Sequence, residues 1–172
     1  MFEENLSKGN VHLLITSKEK YKDVLDQVLL SLNSFGNKIG YVTINKPYNT
    51  IISQLESLNI QKDKFLFIDA ITATVESPKD DPNCIFVSSP SAITDLGLAY
   101  SSLFEKKCDF VFFDTLSALA IYHNSDVVIK FVHNMVTKTR VLNKKILFFA
   151  LREDSEEIIK DLNMFVDSVI EM

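Results

Sequence analysis

The feature that most constrains the fold of this chain is the segment from Phe110 to Leu119, FVFFDTLSAL. It opens with four consecutive apolar residues, a pattern typical of a β-strand that is buried on both faces. The run ends at Asp114, which would lie at the carboxyl end of the strand, where open α/β sheets bind their ligands. We therefore expect this strand to be central, with the other apolar runs forming neighbouring strands or covering helices.

Strands and helices are predicted to alternate along the chain, because short apolar runs are separated by stretches in which apolar residues recur at helical spacing. Stripes at helical spacing begin at Tyr21, Ile51, Ile93, Val128 and Ile158. The further predicted strands are Val11 to Thr16, Ile39 to Ile44, Phe65 to Ile68, Cys84 to Val87, Lys145 to Leu151 and, at an edge, Phe165 to Ile170. This alternation favours an α/β fold, a three-layer α/β/α sandwich with a mainly parallel sheet.

The length of the sequence and its even composition predict a single domain. A chain of 172 residues can bury about 70% of the surface that its unfolded form exposes, so one core is sufficient. No internal repeat, linker or low-complexity tract interrupts the pattern. We expect a single domain over residues 1–172, in which residues 1–10 form a polar N-terminal tail.

Capping residues predict four helix boundaries. Gly36 follows the first helix and suits a left-handed C-cap, because glycine has no Cβ to oppose a positive φ. Ser89 and Pro90 suit the N-cap and first position of a helix, and Ser125 suits the N-cap of a long helix. Ser155, with the preceding aspartate, is expected to open a short final helix.

Residues 70–83 are predicted to form a long loop, since they show no sustained periodicity. The segment contains Pro78, Pro82 and the acidic pair Asp80 and Asp81. A loop of this length inside a compact domain is usually functional or mobile. A surface excursion without a function is the alternative.

Charge and composition exclude some classes of partner. The net charge is −5, and with Arg140 and Arg152 as the only arginines the chain has no cationic stripe for a nucleic acid. The first ten residues are polar and acidic, unlike a signal peptide, and no apolar run approaches the ~18 residues of a transmembrane helix. We expect a cytoplasmic protein that binds neither nucleic acid nor membrane.

The cysteines and histidines give no sign of a metal or nucleophile site. Cys84 and Cys108 lack metal-type spacing and are interpreted as reduced thiols in or near the core. His12, His123 and His133 have no ligand spacing relative to one another, so they are interpreted as ordinary polar or partly buried side chains.

The order of these elements resembles the RecA-like core of the P-loop NTPase fold, most closely its KaiC-like branch, which is common in archaea. The resemblance is carried by FVFFDTLSAL, by SPSAITDLGLAY from Ser89 to Tyr100, and by the tail FVDSVIEM from Phe165 to Met172. It implies that Asp114 corresponds to the Walker B aspartate, which orients magnesium through bound water, and Thr115 to the adjacent hydroxyl residue. It also implies a general base near the end of the strand FLFI, where the sequence offers Asp69 or Glu76.

The sequence departs from that family at the phosphate-binding loop. The motif GxxxxGK[ST] should follow the first strand, because backbone amides and a lysine enclose the phosphates there. Here Thr16 is followed by SKEKYKDV, which contains no glycine and is several residues short. Lys18 could be a substitute for the missing lysine, but alternation of Lys18, Lys20 and Lys22 with acidic residues more simply indicates a solvated face. Without amides to stabilise the developing charge, ATP hydrolysis is not expected.

Three functional hypotheses follow. The favoured one is a non-catalytic RecA/KaiC-like pseudo-ATPase domain that uses no cofactor and acts by binding protein. Its partner would be another copy of itself, a working KaiC-like ATPase or a signalling component.

The second hypothesis is a nucleotide- or Mg-dependent enzyme with a non-standard site. In it, Asp69 and Asp114 share Mg²⁺ if their strands are adjacent. A third is a receiver-like signalling module, but Thr16–Ser17 and Leu151–Arg152 supply neither the acidic pair nor the lysine that such a module needs.

Overall fold

A computed structural model describes residues 2–35 and 38–172. The strands are β1 (Val11–Thr16), β2 (Ile39–Thr43), β3 (Phe65–Asp69), β4 (Cys84–Phe86), β5 (Phe110–Asp114), β6 (Lys145–Leu151) and β7 (Ser168–Glu171). The helices are α1 (Phe2–Ser7), α2 (Tyr21–Ser34), α3 (Tyr48–Ser57), α4 (Ile93–Glu105), α5 (Leu116–Tyr122), α6 (Ser125–Val141) and α7 (Glu156–Leu162). Short 3-10 helices cover Lys62–Lys64 and Thr72–Thr74. The predicted cap at Gly36 lies outside the described residues.

The strands form one seven-stranded parallel sheet in the order β4-β3-β2-β5-β6-β1-β7. The predicted fold class is therefore confirmed, and so is the central position of β5, which pairs with β2 on one side and β6 on the other. Thr43 at the end of β2 is in register with Asp69 on β3 and with Asp114 on β5. The carboxyl ends of these three strands consequently lie side by side at one edge of the sheet.

Two hydrophobic cores lie on opposite faces of the sheet. Successive side chains of a strand point to opposite faces, so Phe112 packs in the core beneath α1, α2 and α3, and Phe113 in the core beneath α4 to α7. Both phenylalanines are fully buried, and burial of a side chain of this size stabilises the fold by about 1.5–3 kcal/mol. The continuous apolar pattern of β5 follows from this coverage on both faces.

Gly40, in the middle of β2, allows α4 to approach the sheet closely. A Cβ at this position would lie 2.7 Å from the Cδ1 atom of Leu103 and 3.3 Å from Cγ2 of Val111. The first distance is shorter than a normal carbon contact, so Leu103 would have to move. Glycine therefore lets Leu103 of α4 pack directly against the backbone of β2.

Two predicted N-caps are wrong by one to three residues. Helix α4 begins at Ile93 with Ala92 at its N-cap, and Ser89 instead accepts a hydrogen bond from the backbone N–H of Ser91 within the preceding turn (3.0 Å). Helix α6 is capped by Asn124, whose side chain accepts from the backbone N–H of Val127 (3.0 Å), and Ser125 is its first residue. The observed cap of α4 thus lies three residues after the predicted one, and the observed cap of α6 lies one residue before it.

Three further segments differ from expectation. The polar tail contains α1, whose Leu6 is fully buried in the core beneath α1–α3. Helix α5 begins at Leu116, shortly after Asp114. The edge strand β7 starts at Ser168, because Phe165 still donates its backbone N–H to the carbonyl of Leu162 at the end of α7.

The part of the chain that the structure describes has no helix long and apolar enough to cross a bilayer.

Candidate functional site

Asp114 is the last residue of β5 and its side chain is fully buried. It points toward the face of the sheet covered by α2 and α3, the same face as Phe112 two residues earlier. A cis peptide bond joins it to Thr115. A buried carboxylate is expensive unless it is hydrogen-bonded, so the identity of its partners decides what it can do.

Two tyrosines donate hydrogen bonds to this carboxylate. The Tyr41 hydroxyl, from the middle of β2, donates to Oδ2 at 2.7 Å. The Tyr21 hydroxyl, from the first residue of α2, lies 2.9 Å from Oδ1 and 3.0 Å from Oδ2. Both oxygens are therefore occupied by protein donors, and we call Asp114, Tyr21 and Tyr41 the tyrosine–aspartate cluster.

The outer side of the cluster is covered by the turn after β2. The Asn45 side-chain amide donates to the Tyr21 hydroxyl at 3.2 Å, and the Lys46 ammonium lies 4.9 Å from the centroid of the Tyr21 ring. The same ring stacks on Phe149 of β6, with centroids 5.3 Å apart. The Tyr21 ring is thus packed against both β6 and the turn after β2.

Burial controls the protonation of the cluster. Loss of hydration raises the pKa of the Asp114 carboxyl above its usual value, although the hydrogen bonds from Tyr41 and Tyr21 and the charge of Lys46 act in the opposite direction. Burial and the neighbouring carboxylate also raise the pKa values of Tyr21 and Tyr41. Both phenols therefore keep their protons and remain donors at neutral pH.

The hydroxyl of Thr115 is used to cap a helix. Its Oγ1 atom accepts a hydrogen bond from the backbone N–H of Ala118 at 3.0 Å, which makes Thr115 the N-cap of α5. The side chain is 1% exposed. The role that the structure shows for the Thr115 hydroxyl is therefore capping of α5.

Asp69 ends β3 and is also fully buried, but its partners are mostly backbone groups. Its Oδ1 atom accepts from the backbone N–H groups of Ile71 (2.6 Å) and Thr72 (2.9 Å), and its Oδ2 atom accepts from that of Tyr48 (2.7 Å) and from the Thr72 hydroxyl. It therefore ties the first residue of α3 to the start of the loop after β3.

The structure separates Asp69 from Asp114. Strand β2 lies between β3 and β5, so the two strand ends are two strand spacings apart, roughly 9.5 Å. The shared magnesium site required β3 and β5 to be adjacent strands, and they are not. Within residues 2–35 and 38–172, no group of three or more His, Cys, Asp or Glu side chains could hold a metal ion.

The turn between β1 and α2, where a phosphate-binding loop would lie, is bound to an acidic segment. The Lys18 ammonium lies 2.6 Å from Oδ1 of Asp154, and this hydrogen bond raises the pKa of Lys18. The backbone N–H of Lys18 donates to the Glu153 carboxylate at 3.1 Å. The cation that could have served a phosphate is thus paired with an acidic residue, beside a second carboxylate.

Glu76, the other candidate base, lies elsewhere. It lines a concavity of about 440 Å³ beneath the loop of residues 70–83, together with Tyr48, Asp80, Asp81 and Phe86. That loop is anchored at its end, where the backbone N–H of Phe67 donates to the carbonyl of Asn83 at 2.8 Å. Asp114 does not line this concavity.

Both thiols and the His12 imidazole are buried in the fold. Cys84 and Cys108 are free and buried, and burial raises the pKa of Cys108 to about 11 and that of Cys84 further. His12 is fully buried on β1, where Nδ1 lies 2.7 Å from the Ser168 hydroxyl and Nε2 has no hydrogen-bond partner among the described residues. Burial lowers the pKa of His12, so this imidazole is neutral at pH 7.

The two tyrosines of the cluster were not identified from the sequence. Tyr21 was interpreted as part of the apolar stripe of α2, and Tyr41 lies within the apolar strand IGYVTI. The available signal was the position of Tyr21, an aromatic phenol at the first residue of the helix that follows β1. Its partner lies 93 residues further along the chain, so only the tertiary structure joins them.

Comparison with known proteins gives a structural match without a sequence match. No family model matches the chain, and no curated protein does. The flagellar accessory protein FlaH from Methanocaldococcus jannaschii superposes with a TM-score of 0.66 at 17% identity, over 99% of this chain and 75% of FlaH. The chain has a RecA-like fold.

A second RecA-like structure supports the same assignment. The KaiC-like protein PH0186 from Pyrococcus horikoshii superposes with a TM-score of 0.62 at 10% identity, over 84% of this chain and 63% of PH0186. At these identities the agreement concerns the RecA-like fold, and activity must be argued from the side chains.

Proposed function

We propose that this RecA-like domain is a pseudo-ATPase that neither binds nor hydrolyses ATP and acts by binding another protein. One observation carries the proposal: both oxygens of Asp114 accept hydrogen bonds from tyrosine hydroxyls in a fully buried position. In the resembled family the corresponding aspartate orients magnesium through water. Here a magnesium-bound water would have to displace the phenol of Tyr21, whose ring stacks on Phe149 and lies 4.9 Å from the Lys46 ammonium.

The electrostatics beside the first helix support the same proposal. A triphosphate seated at the start of α2 would face the carboxylates of Glu153 and Asp154, which bind Lys18 instead. Like charges at close range oppose binding, and the turn offers no glycine whose bare amides could approach the phosphates. Neither the triphosphate at the start of α2 nor a magnesium ion at Asp114 would therefore be bound favourably.

The expected mode of action is protein binding, either to a second copy of this chain or to a different protein. A domain that keeps a parallel sheet and two helical layers without nucleotide chemistry retains its surfaces as its means of action. Light scattering of the purified protein with and without ATP would establish self-association and its response to nucleotide together.

The direct test is isothermal titration of the protein with Mg-ATP, followed by a phosphate-release assay. We expect no saturable heat and no release above the buffer control. Saturable binding with a micromolar Kd would contradict the proposal. If release is observed, Asp114→Asn separates the two explanations: activity that survives this variant does not come from the tyrosine–aspartate cluster.

The alternative, a nucleotide- or Mg-dependent enzyme around Asp114 and Asp69, makes a different prediction. Mg²⁺ would then raise the melting temperature of the wild type but not that of Asp114→Asn. We expect no shift in either protein, because protein donors occupy both carboxylates. As a further control, Tyr21→Ala removes the phenol over Asp114, and a shift in that variant alone would mean that Tyr21 covers a latent ion site.

A further inference from the structure

Helices α4 and α6 lie side by side on one face of the sheet and leave an open groove between them. The groove has a volume of about 840 Å³ and we call it the α4–α6 groove. Its apolar lining includes Leu98, which is 64% exposed, and Val141, which is 77% exposed, with Phe131 between the two helices. Exposed aliphatic side chains that border one concavity are typical of a surface that binds another molecule.

The contacts between the two helices fix the groove from below. The Tyr100 and Thr139 hydroxyls are hydrogen-bonded to each other in the buried part of the interface, and the Lys138 ammonium donates to the Ser101 hydroxyl nearer the surface. Gly97 faces Phe131, and a Cβ built there would lie 3.7 Å from its ring, an ordinary contact. A larger side chain could therefore be accommodated, and glycine leaves the middle of the groove empty.

The charge of the groove is opposite to that of the whole chain. Its charged lining residues are Lys130 and Lys138, and no acidic residue lines it, although the chain carries a net charge of −5. Lys130 is exposed and takes part in no ion pair within the residues that the structure describes. An occupant with carboxylates beside an apolar surface would complement this arrangement.

We propose that the α4–α6 groove binds an acidic amphipathic helix of a partner protein. Apolar residues of that helix would pack between Leu98 and Val141, and carboxylates on its flanks would lie beside Lys130 and Lys138. The lining of α6 from Val127 to Val141 corresponds to roughly 21 Å, the length of a helix of about 14 residues. This inference rests on the proposed function, because it names the surface through which the domain would bind protein.

The test uses designed helical peptides of about 18 residues as probes. The first carries leucines at i, i+3, i+4 and i+7 with glutamates on both flanks of that stripe; the second replaces the glutamates with lysines; the third has the composition of the first in scrambled order. Binding to the full chain is measured by fluorescence anisotropy at two salt concentrations. We expect the first peptide to bind at least about tenfold more tightly than the other two, with an affinity that falls as salt rises.

Matched variants locate the binding site. Leu98→Ser in the groove is compared with Leu30→Ser on α2, since Leu30 is also exposed, at 49%, but lies on the opposite face of the sheet. Lys130→Glu on α6 is compared with Lys22→Glu on α2, since both lysines are exposed. We expect Leu98→Ser to weaken binding by about tenfold and Lys130→Glu by about fivefold, while the α2 variants leave it unchanged.

Three outcomes would overturn the inference: no binding of the first peptide, equal binding of all three peptides, or equal effects of the groove and α2 variants. A dimer in light scattering that Val141→Asp dissociates would assign the groove to a second copy of this chain and so contradict a partner helix. The inference and the proposed function fail separately, because Mg-ATP titration decides the pseudo-ATPase proposal whether or not the peptide binds.

Discussion

The aspartates that end β3 and β5 occupy equivalent places in the sheet but have different partners. Thr43 of β2 is in register with both, and both are fully buried. Asp69 accepts three hydrogen bonds from backbone amides close in sequence or at the start of α3, whereas Asp114 accepts from two tyrosine side chains. Asp69 therefore fixes the chain near its own strand, whereas Asp114 links the end of β5 to α2 and β2. A strand-ending aspartate alone therefore does not indicate function.

Removal of Asp69 would test that comparison with the largest expected effect. Asp69→Ala leaves the backbone N–H groups of Tyr48, Ile71 and Thr72 without their acceptor, and we expect a loss of about 3–5 kcal/mol in the free energy of unfolding. Urea denaturation followed by circular dichroism measures it. Asp69→Asn, which keeps one acceptor oxygen, should lose less; equal losses in both variants would argue against the capping role.

The corresponding substitution at the end of β5, Asp114→Ala, should lower the free energy of unfolding by less than Asp69→Ala does. Asp114→Ala leaves only the hydroxyls of Tyr21 and Tyr41 without an acceptor, and it also removes a buried charge whose desolvation is unfavourable. We expect a loss of about 2–3 kcal/mol by the same urea measurement. A loss larger than that of Asp69→Ala would reverse the comparison.

The two tyrosines can be compared directly. Tyr21→Phe removes one donor from Asp114 and should destabilise the protein by about 1 kcal/mol, because the ring keeps its stacking on Phe149. Tyr41→Phe removes a donor that is fully buried, where water cannot replace it, so its loss should be larger. Thermal unfolding of both variants would decide the order, and equal melting temperatures would mean that Tyr21 is no more accessible to water than Tyr41.

The smallest expected effect is a pH dependence that belongs to Asp114. Its folded-state pKa lies above the unfolded value of about 3.9, so the folded protein holds the proton more tightly. The contribution of Asp114 is therefore fully present below about pH 4 and is lost as pH rises through the folded-state pKa. The free energy of unfolding of the wild type, measured relative to Asp114→Asn, should fall with rising pH.

His12 requires this relative measurement. Its lowered pKa gives a contribution of opposite sign, present above its unfolded pKa of about 6.5 and lost as pH falls through the lower folded-state value. Both proteins retain His12, so its effect cancels in the difference. A difference that is constant or rises with pH would contradict the raised pKa of Asp114.

The sequence predicts the sheet better than the boundaries of the helices. Apolar runs such as FVFFD and KILFFAL are long enough to indicate buried strands, because coverage on both faces leaves little room for another pattern. The cap of α6 was predicted at Ser125 and lies at Asn124, since both side chains suit a cap and only the backbone geometry chooses. Burial of Leu6 holds α1 against the core, but a single leucine in a polar segment is too weak a pattern to predict a helix.

Only part of the candidate site could be predicted from the sequence, because the rest depends on contacts between distant elements. The position of Asp114 follows from the strand that it ends, which is local information. Its raised pKa comes from burial, which the hydrogen bonds from Tyr41 and Tyr21 oppose. Both tyrosines come from other elements and resemble ordinary core residues in the sequence. The α4–α6 groove likewise depends on how two helices cross, which apolar periodicity does not specify.

The tight packing of Gly40 links the interior of the sheet to the surface. Any side chain at this position would displace Leu103, which belongs to α4, the helix that carries Leu98. A substitution inside the sheet would therefore require a side chain of the α4 wall of the proposed groove to repack, although no groove-lining residue is changed. If the groove binds a partner helix as proposed, selection for that partner would extend to a buried position that no comparison of surface residues would reveal.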